Sequence, residues 1–288
     1  MITPFKSDGS VDEAALRRFV DFQIDGGADM LLPCGTTGEG ATLDEDETDR
    51  VLQIVIEQAR GRVPIIVGAG SNSTAKAVQM TKRARTAGAD GVLSVGPYYN
   101  KPTQQGYYEH FKAIAESEDI PILVYNVPGR TGGNIEARTM LRLAELRNIV
   151  AVKEASGNLV QIMDIIRDRP PDFRVLSGDD ALTLAIVALG GDGVVSVVSN
   201  EAPQLMSTMV DAALEGDIPR ARKLHYKLLP LMNANFIESN PIPVKAALAM
   251  MGLIEENYRL PLVRIAAGNR EKLAKVLEEL GLLQAARA

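Results

Sequence analysis

The 288-residue sequence predicts an α/β protein, a (β/α)8 TIM barrel with a C-terminal three-helix extension. Three observations carry this. Apolar runs of strand length alternate with amphipathic segments of helix length, the rhythm of βα units. The alternation repeats at a spacing of roughly 25 to 30 residues. It gives eight such pairs before the strands stop, the count of a closed barrel. A doubly wound open sheet is the alternative, and it seldom needs eight evenly spaced units.

Residues 2–5 read as a short first strand. Ser10 and Glu13 have the S-x-x-E form of a capping box, and Leu16, Phe19, Val20 and Ile24 then give a helical stripe. Residues 29–33 are strand two and 44–59 its helix, with Val51, Ile54 and Val55 facing inward. Strand three is 64–68 with helix 73–86, strand four 91–95 with helix 104–117, and strand five 121–125 with helix 135–146. Strand six is 149–153 with helix 158–167, strand seven 173–176 with helix 180–189, and strand eight 193–197 with helix 203–215. Gly190 to Gly193 is expected to be a tight turn entering strand eight. Residues 219–235, 243–251 and 269–280 read as three further helices. Residues 1–216 are thus the expected barrel and 217–288 a helical region, with no low-complexity linker between them.

Composition narrows the function classes. Hydrophobic residues make up 46%, enough for a full core. A net charge of −6 argues against a nucleic-acid or anionic-membrane partner. Cys34 is the only cysteine, so no internal disulfide forms, and a reducing cytoplasm is the expected location. There is no signal-like start and no apolar run of about 18 residues. His110 and His225 are the only histidines, and neither has a second ligand at metal-binding spacing, so no metal site is expected. His110 reads as a partly exposed helix residue. Neither a G-x-S-x-G elbow nor a G-x-x-x-x-G-K-[ST] loop occurs.

Strand six ends on Lys153. Desolvation at that place opposes its charge and lowers its pKa, which yields the nucleophilic amine that Schiff-base chemistry requires. A lysine that snorkels off the strand or pairs with a carboxylate is the plainer reading. The other strand ends decide between them, because a barrel keeps its active site there. Gly35-Thr36-Thr37-Gly38 is either a flexible turn or an anion nest with two hydroxyl donors. Tyr98 and Tyr99 are interface aromatics or catalytic phenols. Tyr125 finishes strand five in solvent or relays protons over the lysine one strand along. Arg130 is a surface residue or a fork for a substrate carboxylate. A lysine, a carboxylate nest, hydroxyl relays and an arginine on one face are the equipment of a class I aldolase acting on a 2-oxo acid. The iminium is then the electron sink, and no metal or organic cofactor is needed.

G-T-T-G-E at 35–39, P-Y-Y-N-K-P at 97–102, Y-N-V-P-G-R-T-G at 125–132, V-K-E-A-S-G at 152–157, L-S-G-D-D at 176–180 and N-P-I-P-V-K at 240–245 together resemble the dihydrodipicolinate synthase (4-hydroxy-tetrahydrodipicolinate synthase) family. They cover nearly the whole chain, in the family's order. The wider superfamily of pyruvate-dependent lyases shares the barrel, the lysine and the strand-five tyrosine. Arg130 and the double threonine point to the synthases within it. The resemblance implies that Lys153 forms a Schiff base with pyruvate and that Tyr125 moves protons. It implies that Thr36 links Tyr125 to Tyr99, which a neighbouring subunit supplies. Thr37 would hold the pyruvate carboxylate, Arg130 the carboxylate of aspartate-4-semialdehyde, and Gly178 and Val195 would line the pocket. A homotetramer built as a dimer of dimers is the implied assembly.

Two departures from the family pattern carry expectations. The family's opening strand starts earlier than Met1-Ile2-Thr3-Pro4-Phe5 does here, which predicts lower stability with the chemistry intact. Feedback inhibition by lysine in the family uses an interface cavity that matches Gly40, Ala41, Glu45, Thr48, Asn72, Lys76 and Tyr98 here. Lys76 stands where a carboxylate would hold the ligand's ammonium, and Glu45 and Thr48 replace histidines, so inhibition is expected to be weak or absent. Another pyruvate-dependent aldolase, on a sugar acid or other aldehyde, and a non-catalytic barrel that binds a 2-oxo acid are the competing readings.

Overall fold

A computed structural model describes residues 1–283; the end of the expected helical region, residues 284–288, lies outside the described residues. Along the chain come α1 (Glu13–Asp25), α2 (Glu45–Ala59), β1 (Ile66–Gly68), α3 (Thr74–Thr86), β2 (Gly91–Val95), α4 (Gln104–Ser117) and β3 (Ile122–Asn126). There follow α5 (Pro128–Thr131), α6 (Ala137–Ala144), β4 (Ile149–Glu154), α7 (Leu159–Asp168), β5 (Arg174–Ser177), α8 (Thr183–Ala188) and β6 (Gly193–Val194). The last helices are α9 (Pro203–Leu214), α10 (Ile218–Ala234), α11 (Ile242–Met250) and α12 (Ala267–Glu279). The chain divides into two units, one of Met1–Ile65 with Val197–Ala288 and one of Ile66–Ser196.

The Ile66–Ser196 unit holds one parallel sheet in the order β1-β2-β3-β4-β5-β6, so each strand neighbours the next in sequence. Parallel neighbours need crossover connections, and helices supply them. Its strands are apolar on both faces: Val92, Ile122, Val124, Val152 and Val175 are completely buried on one, and Leu93, Leu123 and Ala151 are buried on the other. These six are the predicted strands three to eight. The last is shorter than expected, ending at Val194, although the Val195 N–H still donates to the Ser177 carbonyl at 2.9 Å.

The first two predicted strands build no ladder. Residues 2–5 contribute a single antiparallel bridge, Phe5 with Val11, and residues 29–33 a single parallel one, Leu31 with Ile65. Pro4 and Pro33 have no N–H to donate, which stops both segments from extending a ladder. They are still laid out by hydrogen bonds: the Met1 amino group donates to the Leu32 carbonyl at 2.8 Å and the Leu31 N–H to the Pro64 carbonyl at 3.0 Å.

Helix starts follow where side chains from elsewhere meet backbone groups. Asp12 rather than Ser10 caps α1, accepting from the Ala15 N–H at 3.0 Å, while the Ser10 N–H and hydroxyl turn to Asp8. The capping box forms instead at α2, between Asp44 and Glu47. The expected helix 135–146 begins only at Ala137. The Ile135 carbonyl, which would accept from the Thr139 N–H in a helix begun there, accepts instead from the Gln161 side chain at 3.2 Å, while Asn126 and Gln104 satisfy the Ile135 and Glu136 N–H groups at 3.0 and 3.1 Å. Residues 180–189 split into a 3-10 turn, Asp180–Leu182, and α8. His110 is buried, not partly exposed: its Nδ1 lies 2.9 Å from the Thr74 hydroxyl, and burial lowers its pKa to about 4.

In the other unit the α1 stripe of Leu16, Phe19 and Val20 is buried, as are Val51, Ile54 and Val55 of α2. Ile2, Phe19, Val244, Leu248 and Ile254 share one cluster, each apolar side chain worth roughly 1.5–3 kcal/mol on burial. At its edge α11 carries a completely buried lysine, Lys245, which donates to the buried carboxylate of Glu39. The ammonium also sits 4.2 Å over the Phe5 ring. Arg259 stacks at 4.4 Å on that ring and donates to Glu47 and to the Gly9 and Thr42 carbonyls. Burial pulls the Lys245 pKa below its ordinary value, and Glu39 opposes the fall. A buried charge left alone is far more expensive than a paired one. Lys245→Met is therefore expected to destabilise the fold by about 3–5 kcal/mol, read from urea unfolding, because Glu39 stays behind without its cation.

Candidate active site

Strand pairing decides which side chains meet. Between β3 and β4, Ile122 pairs with Ile149 but Leu123 pairs with Ala151, so Val150 is left over as a bulge. Had the first register continued, Tyr125 would lie beside Val152. The extra residue shifts the partner to Lys153, and the next pair is Asn126 with Glu154. Successive strand residues point to opposite faces, so a one-residue slip would send the lysine away from the phenol. The bulge thus puts amine and aromatic ring on one face, with Lys153 Nζ 4.3 Å from the Tyr125 ring centre.

Burial disfavours the ammonium and lowers the Lys153 pKa to about 8, with the Asp180 charge opposing and the Arg130 charge assisting. At pH 7 roughly one such amine in ten is then free, against roughly one in two thousand or fewer for an ordinary lysine. Burial acts on Tyr125 as well and pushes its phenol up to about 12, Arg130 opposing. The phenol therefore keeps its proton over the range in which the amine loses its own.

Gly178 follows β5 and donates its N–H to the Glu154 carbonyl at 2.8 Å. A Cβ there would fall 3.1 Å from Lys153 Cε and 2.8 Å from the Ala155 side chain, so glycine is what leaves room for the lysine stem. Val195 adjoins through its N–H bond to Ser177. Arg130 lies exposed in the short α5, and its charge reaches both Lys153 and Tyr125. Tyr99 is 90% exposed in the chain and held at a φ of 73°, a left-handed conformation unusual for a tyrosine. Its N–H donates to the Thr131 carbonyl at 3.2 Å.

Thr36 and Thr37 belong to the Met1–Ile65 segment and are described in that unit's own frame. Thr36 is exposed and Thr37 half-buried. The Glu39 and Gly40 N–H groups turn back on the Thr36 and Gly35 carbonyls at 3.1 Å each. A Cβ on Gly40 would lie 2.1 Å from the Cys34 carbonyl oxygen, so the turn admits only glycine there. Asn240 donates to the Thr37 hydroxyl oxygen at 2.9 Å, which leaves the hydroxyl proton to point elsewhere.

Of the residues matched to a lysine-binding cavity, Asn72 gives its carbonyl to the Asn100 amide at 2.9 Å, Tyr98 is exposed, and Lys76 is exposed on α3. Glu45 and Thr48 lie in the first turn of α2, in the other unit. Two features of the site had not been singled out from the sequence. Asp180, buried at the end of L-S-G-D-D, was visible as a charge at a strand mouth. The Val150 bulge left no trace, since Ile-Val-Ala-Val suits a regular strand as well.

The model of the dihydrodipicolinate synthetase family matches residues 1–280. The 4-hydroxy-tetrahydrodipicolinate synthase of Koribacter versatilis (strain Ellin345) is 60% identical over 285 residues, 99% of this chain and 95% of that protein. The crystal structure of the dihydrodipicolinate synthase from Aquifex aeolicus is 48% identical with a TM-score of 0.96, over 99% of this chain and 98% of that one. The chloride-inhibited dihydrodipicolinate synthase from Acinetobacter baumannii, solved in complex with pyruvate, is 44% identical with a TM-score of 0.97, over 98% and 97% of the two chains. Likeness at this level fixes the fold class as the (β/α)8 barrel with C-terminal helices.

The lowered lysine pKa has two measurable consequences. Competitive acetylation followed by peptide mass analysis is expected to give Lys153 a midpoint near pH 8, well below the ordinary lysine value. The folded state also bears a penalty for the buried ammonium that is complete below about pH 8. It is relieved as pH rises toward the ordinary lysine value, because the unfolded chain then binds the extra proton. Lys153→Met should therefore raise the Tm at pH 7, by roughly 2–4 °C per kcal/mol relieved, and less at pH 10.

Proposed function

The chain belongs to the dihydrodipicolinate synthetase family, and on that premise we propose that it condenses pyruvate with aspartate-4-semialdehyde, forming 4-hydroxy-tetrahydrodipicolinate for diaminopimelate and lysine synthesis. The observation that carries this reading is the Lys153 amine, brought to a pKa of about 8 beside the protonated Tyr125 phenol. The pyruvate complex of the Acinetobacter baumannii relative supports pyruvate as the first substrate.

The neutral amine attacks the ketone carbon of pyruvate, and the carbinolamine hydroxyl leaves as water with a proton relayed through Tyr125. Loss of a methyl proton from the resulting iminium gives an enamine, whose carbon attacks the aldehyde of the second substrate. That substrate's amino group then displaces Lys153 from the iminium carbon, which closes the ring and returns the enzyme. The iminium accepts the electron pair when the methyl proton leaves, and the enamine returns that pair to the aldehyde carbon, so the chemistry calls for no metal or organic cofactor.

In this reading Thr37 holds the pyruvate carboxylate through its hydroxyl proton, a role supported by Asn240 occupying only the oxygen. Thr36 links Tyr125 to Tyr99. The near-complete exposure of Tyr99 in one chain suits a phenol delivered to a neighbouring subunit. Gly178 and Val195 line the pocket, and Arg130 forks the carboxylate of the semialdehyde. The assembly is a homotetramer, a dimer of dimers, in the cytoplasm. Among the described residues no helix is long and apolar enough to cross a membrane. Lys76 keeps lysine from acting as a strong feedback inhibitor.

Borohydride reduction in the presence of pyruvate, followed by mass analysis, is expected to give a stable adduct on the Lys153 peptide. Lys153→Ala should yield none, and a wild-type chain without adduct would refute the mechanism. Arg130→Ala should keep the adduct but weaken use of the semialdehyde in a coupled assay by about 1.5–3 kcal/mol, roughly 10- to 150-fold. Unchanged semialdehyde kinetics in that variant would point to a different aldehyde. A steady-state titration is expected to show no strong inhibition at sub-millimolar lysine.

A further inference from the structure

Behind the amine, on the opposite face of the sheet, lies a polar network that the chemistry above does not use. Glu154 follows Lys153 in β4, is completely buried, and pairs in register with Asn126, which follows Tyr125 in β3. The Asn126 side-chain amide donates to both Glu154 carboxylate oxygens, at 3.2 and 3.1 Å. The Ser156 backbone N–H donates to the same carboxylate at 2.7 Å. Asn126 is itself held by Asn134 Oδ1 at 2.9 Å and by the Ile135 N–H at 3.0 Å. Gln161 of α7 closes the network, accepting from Asn134 at 2.8 Å and donating to the Ile135 carbonyl at 3.2 Å.

Every group aimed at the Glu154 carboxylate is a donor, and a carboxylate is the side chain that only accepts. It therefore bridges three pieces of backbone: the end of β3 through Asn126, its own strand, and the loop at Ser156. A buried group with this many partners is costly to disturb, because each donor would lose its acceptor in a dry environment. The bulge at Val150 fixes the register between β3 and β4 at one end of the pair of strands. The Asn126–Glu154 contact fixes it at the other, one residue beyond the Tyr125–Lys153 pair.

We propose that Glu154 and Asn126 are positioning residues for the Schiff-base amine: they clamp the strand ends from the outer face so that Lys153 Nζ stays beside the Tyr125 ring. This rests on Lys153 being the nucleophile, as proposed above. A displacement of about 1 Å at a reacting atom is enough to slow a step roughly 100-fold. Stability and positioning separate in single-turnover borohydride trapping with saturating pyruvate. Loss of folded protein lowers the amplitude of trapping, whereas misplacement slows its rate at full amplitude.

Glu154→Gln puts an amide where every neighbour donates, and is expected to slow adduct formation roughly 10- to 100-fold at unchanged amplitude. Glu154→Asp keeps the charge but reaches only part of the network, and should fall between it and the wild type. Ile165→Ala, which empties a buried site on α7, should lower the Tm and leave the trapping rate as it is. Should Glu154→Gln not fold, Asn126→Ser and Glu154→Asp carry the test by the same criterion. Trapping by these variants within about twofold of the wild-type rate overturns the positioning role while leaving the Schiff base intact. A wild-type chain that forms no adduct refutes the proposed mechanism, and the positioning role with it.

Discussion

The register between β3 and β4 is the constraint on which the rest of this site depends. Strand residues alternate between faces, so a lysine and a tyrosine on adjacent strands meet only when their registers agree in parity. The flush pairing of Ile122 with Ile149 would not bring Tyr125 to Lys153; the leftover Val150 does. A bulge in a parallel ladder gives up regular hydrogen bonding, and bulges recur where a side chain has to be re-aimed. Here the side chain so aimed is the lysine with the lowered pKa.

Two lysines whose pKa desolvation lowers show how surroundings assign a role. Lys245 donates directly to Glu39 and lies over Phe5, so its charge is answered by a partner at hydrogen-bonding distance and it serves the core. Asp180 acts on Lys153 through its charge, while Arg130 works in the opposite sense. Desolvation prevails there, and the amine stays ready to give up its proton. Both lysines come from short motifs, V-K-E-A-S-G and N-P-I-P-V-K, and the letters mark Lys153 only by its place at a strand end. The separation lies in the distance to a carboxylate.

Much of this was legible in the sequence, and the failures share a cause. The βα rhythm located all six strands of the sheet, and a charged residue ending an apolar run singled out Lys153. Hydrogen-bond competition was hidden. Pro4 and Pro33 keep two apolar segments from becoming ladders, and the Gln161 side chain takes the Ile135 carbonyl that a helix begun there would have used. His110 reads as an ordinary, partly exposed helix residue, yet it turns inward to Thr74. In each case apolar pattern named the element, and a specific donor or acceptor from elsewhere in the chain set its limits.

The protonation states of Lys153 and Tyr125 follow from one cause acting on opposite charges. Burial removes water that would stabilise either ion, so it favours the neutral amine and the neutral phenol alike. The lysine falls to about 8 while the tyrosine rises to about 12. Between those values both groups are uncharged, which is the combination imine formation needs: a nucleophile with a free electron pair beside a group that still has a proton to give. Arg130 lowers both pKa values, so it frees the amine and eases the phenol's proton loss at the same time. A cation at the strand mouth thus favours the neutral amine through its field alone.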